Sequence, residues 1–116
     1  MNYIDGFAVP IPRDRLDSYR SMVQQIAEVW REHGALDYRE FVSEAPKLEG
    51  TRGFAEAAGA SADEVVIFGW VAFASREARD LANEKVAADP RMADLMNADA
   101  GFDGARMIYG GFEPLF

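Results

Sequence analysis

One segment of the sequence, residues 64–74, constrains the fold most, because it is typical of a β-strand with two apolar faces. Alternate positions form the two faces, and nearly every side chain on both of them is apolar. One face carries Val65, Ile67, Val71 and Phe73, and the other carries Val66, Phe68, Trp70 and Ala72. A strand of this kind lies inside a sheet that is covered on both sides. We therefore expect residues 64–74 to form a central strand.

The first part of the chain has the order strand, helix, strand. Residues 2–9 alternate as a strand, which we expect Pro10 and Pro12 to end. Asp14 is a candidate N-cap for the following helix, and Gly34 is a natural residue to end it. Residues 36–42 then alternate again and predict an edge strand. The apolar stripe of the helix is formed by Leu16, Tyr19, Val23, Ile26, Trp30 and His33.

The second part of the chain repeats this order. Ser75 is a good N-cap for a helix that ends near Asp89, with its inward positions at three- and four-residue steps. Those positions are Ala78, Leu81, Ala82 and Val86. Asp89 can cap again, with Pro90 in the first helical position, and predicts a short helix over residues 91–96. Residues 106–112 form the last predicted strand, whose pair of glycines at 110–111 favours a bulge or a close approach of backbones across a dimer.

Two strand–helix–strand units predict a ferredoxin-like α+β fold, in which a four-stranded antiparallel sheet carries both main helices on one face. We expect residues 1–116 to form a single domain. The second face would then expose large side chains, either Trp70 and Phe68 or Ile67 and Phe73, and such a patch is typical of an interface. The sequence therefore predicts a sheet-to-sheet homodimer.

The long connection over residues 43–63 offers an alternative cover for the second face. Pro46 and several glycines interrupt it, and a short helical piece is predicted over Phe54–Ala58. If this loop folded under the sheet, the face would be covered within one chain. Its alanine and glycine residues supply little apolar bulk, which favours the dimer.

Composition excludes several classes of partner and site. The chain has 12 Lys and Arg residues against 20 Asp and Glu residues and a net charge of -8, which makes nucleic acid a poor partner. The absence of cysteine excludes disulfides and thiolate metal sites. The longest apolar run, residues 65–74, is about half of the roughly 20 residues that a membrane helix needs, and the amino terminus does not resemble a signal peptide. We expect a soluble cytoplasmic protein that does not bind membranes.

Four separated blocks of the sequence carry a resemblance to a known family. They are DGF at residues 5–7, WREHGAL at 30–36, ADPRM at 88–92 and FDGARMIYGGF at 102–112. Together they resemble the bacterial family catalogued as domain of unknown function 1428, over nearly the whole chain. The resemblance implies a dimeric α+β barrel related to ferredoxin-like folds, and it implies no established activity. Residues 51–60, which are rich in alanine and glycine, depart from the more polar loop expected there.

His33, the only histidine, is the first candidate for chemistry. It falls in the last turn of its helix, where it can cap the helix or form a hydrogen bond in the core. The functional alternatives are a general base or a haem ligand. A single histidine cannot build a multi-histidine zinc site, so we expect no metal centre and no bound cofactor. Asp99 and Asp103 lack the ligand spacing of an EF-hand, so the sequence gives no support for a calcium loop.

Asp5 is the second candidate, because a carboxylate in a central strand needs a partner or solvent. Arg106, at the start of the last strand, and Arg39 are the expected partners, because the first strand neighbours the fourth in this fold. The contact would be either a structural ion pair or a clamp for a substrate carboxylate. Tyr38 completes the candidate catalytic residues: His33, Asp5, Tyr38 and Arg106. The aromatic residues that could line a ligand pocket, or simply pack in the core, are Trp30, Trp70, Tyr109 and Phe68.

Three functional hypotheses follow. The first is a homodimer that binds a small molecule or has a structural role without catalysis. The second, by analogy of fold, is a cofactor-independent enzyme of the monooxygenase or isomerase type. The third is a haem-handling protein with His33 as the iron ligand.

Overall fold

The computed structural model describes residues 1–44, 47–97 and 100–116. Pro46 and Asp99 therefore lie outside the described residues. The strands are β1 (Tyr3–Pro12), β2 (Asp37–Val42), β3 (Glu64–Phe73) and β4 (Ile108–Phe112). The helices are α1 (Leu16–Glu32), α2 (Phe54–Ala58), α3 (Arg76–Ala88) and α4 (Pro90–Met96), with short 3₁₀ turns at Arg13–Arg15 and Gly104–Arg106. Among the described residues, no helix combines the length and the apolar character that a membrane crossing needs.

The four strands form one antiparallel sheet in the order β2-β3-β1-β4. The strand that is apolar on both faces, β3, lies between β2 and β1, as the sequence predicts. β2 lies at the edge, and β1 neighbours β4, as expected. The pairing of ten residues between β1 and β3 makes these two strands the centre of the sheet.

Both long helices pack on one face of the sheet. Tyr19, Met22 and Ile26 of α1 contact Val9 and Ile67 in the larger part of the core. Ala82 of α3 joins a second part of the core with Tyr3, Val71 and Phe73. In the paired strands these contacts fall on alternate residues, which is the spacing that places side chains on one face.

The opposite face is partly covered by the loop between β2 and β3. Ala58 of α2 packs with Ala8 and Val66, and the ring of Phe54 meets that of Phe68 edge-on with 5.7 Å between centroids. Phe68, at 44%, and Phe112, at 55%, remain exposed on this face. The loop therefore covers one part of the face, as in the alternative arrangement, and leaves the rest open.

The strand ends differ from the sequence predictions in two places. β1 continues through Pro10 to Pro12, although these prolines were expected to end it at Val9. Pairing with β4 extends only over Ile4–Ala8, so a proline beyond Ala8 removes no hydrogen bond on that side. β4 begins at Ile108 and not at Arg106, because residues 104–106 form a 3₁₀ turn that Asp103 caps through the backbone N–H of Ala105.

The helix boundaries bear out most of the capping predictions. Ser75 Oγ accepts a hydrogen bond from the backbone N–H of Ala78 at 3.0 Å, and Asp89 caps α4 through the N–H of Arg91 at 2.9 Å. Gly34 follows α1 with a φ of 118° that favours glycine. The expected cap of α1 by Asp14 is wrong, since Asp14 lies in a 3₁₀ turn and Arg15 precedes the helix without a side-chain cap.

Leu81 was expected inward but is 52% exposed, because α3 turns Ala82 and Val86 toward the sheet.

One of the two explanations predicted for the glycine pair of β4, a bulge, is wrong. Gly110 and Gly111 pair with Gly6 and Asp5 in unbroken register, so no bulge is present in this pairing. A Cβ atom on Gly111 would lie 1.9 Å from the Tyr3 hydroxyl. Gly111 is therefore required by a side chain of its own chain, whose hydroxyl passes directly over the backbone.

Candidate functional site

A cavity of about 270 Å³ lies between α1 and the sheet, and α4 contributes to its wall. Two carboxylates reach it: Asp5 from β1 and Glu40 from β2. Apolar and aromatic side chains form most of the remaining lining. They include Phe7, Met22, Trp30, Met92, Met96, Phe102 and Met107. A largely apolar cavity with a few polar groups is the usual form of a small-molecule site.

Strand alternation and helix periodicity bring these groups together. Tyr38 and Glu40 lie two residues apart on β2, so both point to the helix-covered face of the sheet. Tyr19, Met22, Val23, Ile26 and Trp30 recur along α1 at the three- and four-residue steps that line one side of a helix. Met92 and Met96, four residues apart, face the cavity from α4.

Glu40 is held by two tyrosines. Its Oε2 accepts a hydrogen bond from the Tyr38 hydroxyl at 2.7 Å, and its Oε1 accepts a short hydrogen bond from the Tyr19 hydroxyl. Burial raises the pKa of Glu40, while the two hydroxyl donors act in the opposite direction. Burial and the adjacent carboxylate likewise raise the pKa of both tyrosines, which therefore remain hydrogen-bond donors.

Asp5 is the most buried charged residue of the site, with 4% of its surface exposed. Its Oδ1 lies 3.6 Å from Nε of Arg79, and neither of these two atoms has a hydrogen-bond partner. Burial raises the pKa of Asp5, and a hydrogen bond with Tyr109 and the charge of Arg79 oppose that rise. Burial and the hydrogen bond with Asp5 raise the pKa of Tyr109 to about 12.

Arg79 is the partner of Asp5, in place of the expected Arg106 or Arg39. Arg79 projects from α3, and its Nη2 donates to the Tyr3 hydroxyl at 2.8 Å. Arg39 lies on the edge strand and contacts Asp37 at 3.3 Å. The sequence prediction considered only neighbouring strands, and it missed a partner that reaches the sheet from the helix layer.

Arg106 and His33 each contact a carboxylate elsewhere and do not line this cavity. Arg106 forms a two-pronged pair with Glu64, at 2.8 and 2.6 Å, and also contacts Asp103 and the carbonyl of Gly59. His33 Nε2 lies 2.8 Å from Asp89 Oδ2, and the backbone of His33 caps α1. These contacts give both residues a role in joining elements of the fold.

The aromatic candidates divide between the two faces of the sheet. Trp30 and Tyr109 line the cavity with Asp5 and Tyr38. Phe68 and Trp70 line a groove of about 510 Å³ on the opposite face, to which Tyr109 also contributes. Of the eight residues singled out in the sequence, four thus meet at one cavity. Glu40, Tyr19 and Arg79 were missed as site residues, although the placement of Glu40 with Tyr38 on one strand face was the signal that could have identified it.

The fold and the site together define an α+β protein with an antiparallel sheet, a helix layer and a carboxylate-lined cavity between them. The chain belongs to the family described as "Protein of unknown function (DUF1428)", whose model matches residues 2–104. It is 43% identical over 116 residues to the uncharacterized protein YbaA of Escherichia coli K12, covering 99% of this chain and 97% of that one. The YbaA protein of Shigella flexneri matches with the same identity and coverage.

Solved structures of similar fold include NIPSNAP proteins. An uncharacterized NIPSNAP domain protein from Burkholderia xenovorans has a TM-score of 0.65 at 12% identity, covering 97% of this chain and 93% of that one. A NIPSNAP family protein with unknown function from Agrobacterium tumefaciens has a TM-score of 0.63 at 16% identity, with coverage of 97% and 87%. At these identities the similarity concerns the fold alone.

Proposed function

We propose that this protein binds a small organic molecule in the cavity between α1 and the sheet. The observation that carries the proposal is Asp5, a buried carboxylate at the cavity wall whose Oδ1 has no hydrogen-bond partner. Burial of an unsatisfied polar atom destabilises a fold, and a ligand that supplies a donor offsets this cost. Glu40 and its two tyrosines offer a second polar contact across the same cavity.

The methionines provide a direct test. The chain has five of them, and four line the cavity: Met22, Met92, Met96 and Met107. Met1 is 65% exposed and serves as an internal reference. Spectra of the protein labelled with ¹³C-methyl methionine would be recorded against a library of small amphipathic molecules. We expect ligands that shift the four cavity methyls together and leave Met1 unchanged.

A cavity-filling variant controls for binding elsewhere. Val23 lines the cavity, whereas Val42 lies at the sheet edge and is 45% exposed. We expect Val23→Phe to abolish the shifts and Val42→Phe to preserve them. If no compound of the library shifts the signals of the four cavity methyls, or if the shifts persist in Val23→Phe, the proposed site is wrong.

We further propose that the chain has the ferredoxin-like arrangement and forms a homodimer through the open face of its sheet, as in a dimeric α+β barrel. The observations that support this are the strand order β2-β3-β1-β4 and the exposed apolar residues on that face. They are Phe68, Ile108 and Phe112, which are 44–55% exposed. Of the loop residues on this face, Ala58 and Ala60 lie against Ala8 and Val66, and Phe54 contacts Phe68, which is still 44% exposed.

A second candidate function is cofactor-independent catalysis in the same cavity. It is favoured by the environment of Asp5, since burial raises the pKa of this carboxyl and makes it a better proton acceptor than an exposed one. Asp5 would exchange the proton with the ligand, and Tyr109 would hold the carboxyl through its hydrogen bond. Asp5→Asn would then abolish turnover of a bound ligand while retaining its binding. Equal turnover by Asp5→Asn would exclude Asp5 as the proton-transfer group.

A further inference from the structure

We infer that the ligand of this cavity carries a protonated amine, which binds between Glu40 and the aromatic lining. This inference rests on the proposed function of the cavity as a ligand site. It concerns the chemical class of the ligand, which neither the fold nor the relatives specify.

The charges at the cavity are the first observation. The lining within the described residues contains two carboxylates and no lysine, arginine or histidine. Nε of Arg79 lies 3.6 Å from Oδ1 of Asp5, and Arg79 is not part of the cavity lining. The positive charge of Arg79 therefore compensates the charge of Asp5 from outside the cavity. Glu40 has only the hydroxyls of Tyr19 and Tyr38 as hydrogen-bond partners in the described contacts. Glu40 is therefore a carboxylate that two hydroxyl groups hold in place and that no cation of the described contacts neutralises.

The capacity of these carboxylates is the second observation. An ionised carboxylate accepts about four hydrogen bonds, of which Glu40 uses two. Asp5 Oδ1 also has no hydrogen-bond donor, but it lies 3.6 Å from Nε of Arg79, so Glu40 is the acceptor that a ligand can use. An ammonium group has three donors and no acceptor, so it matches this excess of acceptors. A carboxylate or phosphate ligand would add negative charge to a cavity that already holds it.

The aromatic wall is the third observation. Trp30, Phe7 and Phe102 surround the same space, together with the methionine sulfurs. The faces of aromatic rings attract cations, most strongly where water is excluded. A metal ion is a poorer match, because no group of three or more His, Asp and Glu side chains that could hold one exists among the described residues. The combination favours an organic cation over an inorganic one.

Three probes that share a phenylethyl group separate the classes of ligand: 2-phenylethylamine, 2-phenylethanol and 3-phenylpropanoate. Binding would be measured by titration of the methionine methyl spectrum and by calorimetry at neutral pH. We expect the amine to bind at least about tenfold more tightly than the alcohol, and the propanoate to bind most weakly. Glu40→Gln should reduce the affinity for the amine by about tenfold and leave that for the alcohol unchanged.

The control variant is Glu28→Gln, which removes the same charge from the exposed side of α1. It should leave all three affinities unchanged. If the alcohol or the propanoate shifts the cavity methyls with equal or higher affinity than the amine, the inferred ligand class is wrong and the ligand site itself stands. If none of the three shifts these methyls, both the class and the proposed site are contradicted. The comparison of probes on the unaltered protein does not depend on whether Glu40→Gln folds.

Discussion

Glu40 lies in the proposed ligand site, in an environment that is unfavourable for a charge. Its folded-state pKa is raised by burial, so the folded protein binds this proton more tightly than the unfolded chain does. Stability is therefore lost as the pH rises from the unfolded value of about 4.3 toward the folded value. Carboxyl groups with shifted pKa values are concentrated at functional sites of proteins.

We expect Glu40→Gln to raise the melting temperature by a few degrees at pH 7 to 8. Glutamine removes the charge, while its amide oxygen still accepts from one tyrosine hydroxyl and its amide N–H donates to the other. Each pKa unit of the shift corresponds to about 1.4 kcal/mol. The gain should disappear near pH 4, where the wild-type carboxyl is protonated. Differential scanning calorimetry across this range checks the prediction, and a variant less stable than the wild type at pH 8 would contradict it.

The sequence identified part of the site at this scale. Asp5 and Tyr38 were recognisable because a charge in a central strand and a tyrosine on an alternating edge strand each stand out from their surroundings. The contact between Asp5 and Arg79 could not be recognised in the sequence, since it depends on how α3 packs over β1. His33 stood out by its rarity, yet its ring contacts Asp89, 56 residues away in the chain. Rarity of a residue type says nothing about which groups tertiary packing brings to it.

At the scale of elements, Gly69 fixes the packing between neighbouring strands. A Cβ atom at this position would lie 2.5 Å from the Phe7 ring and 2.9 Å from the backbone oxygen of Arg39. We expect Gly69→Ala to lower the free energy of unfolding by about 1–3 kcal/mol, because the neighbouring backbone has to move. Urea denaturation measures this change.

Gly110→Ala is the matched control for Gly69. The nearest atoms to an added Cβ there lie 3.7 Å away in the Phe112 ring, which is an ordinary contact. Its free energy of unfolding should change little. Similar losses for both variants would indicate that a general effect of alanine in strands, and not the contact with Phe7, determines the outcome.

The pair between Glu64 and Arg106 joins the start of β3 to the turn before β4. The hydrogen bonds from Arg106 lower the pKa of Glu64 to about 2. The unfolded-state value is about 4.3, so the pair stabilises the fold fully above that pH and this contribution is lost as the pH falls toward 2. We expect the urea midpoint of Glu64→Gln to lie below that of the wild type at pH 6.

The difference between the two midpoints should shrink as the pH falls from about 4.3 toward 2. The exposed residue Glu84, changed to glutamine, provides the control and should show no comparable pH-dependent loss. A difference between Glu64→Gln and wild type that stays constant over the acidic range would exclude the ion pair as its cause.

The elements themselves were largely predictable, because strand alternation, helix periodicity and the caps at Ser75 and Asp89 are local signals. The errors occurred where non-local pairing decides the outcome. Pro10 remains in β1 because β4 is too short to pair with that part of the strand. Residues 106–107 do not join β4, since Arg106 belongs to the 3₁₀ turn that precedes it.

At the scale of the whole molecule, the open face of the sheet predicts self-association. Phe112 lies at this face, while Leu81 is similarly exposed on a helix, at 55% and 52%. We expect light scattering to show a dimer at micromolar concentration for the wild type and for Leu81→Glu, and a monomer for Phe112→Glu. A monomeric wild type would contradict the dimer, and a Phe112→Glu dimer would place its interface elsewhere.

The central proposal, a ligand site between α1 and the sheet, is tested most directly by a crystal structure of the protein soaked with the small molecule that shifts the methionine methyls most. We expect electron density for this molecule within hydrogen-bond distance of Asp5 or Glu40, surrounded by Met22, Met92 and Trp30. Density found only on the opposite face, over Phe68 and Trp70, with the cavity beside Asp5 left without ligand density, would contradict it.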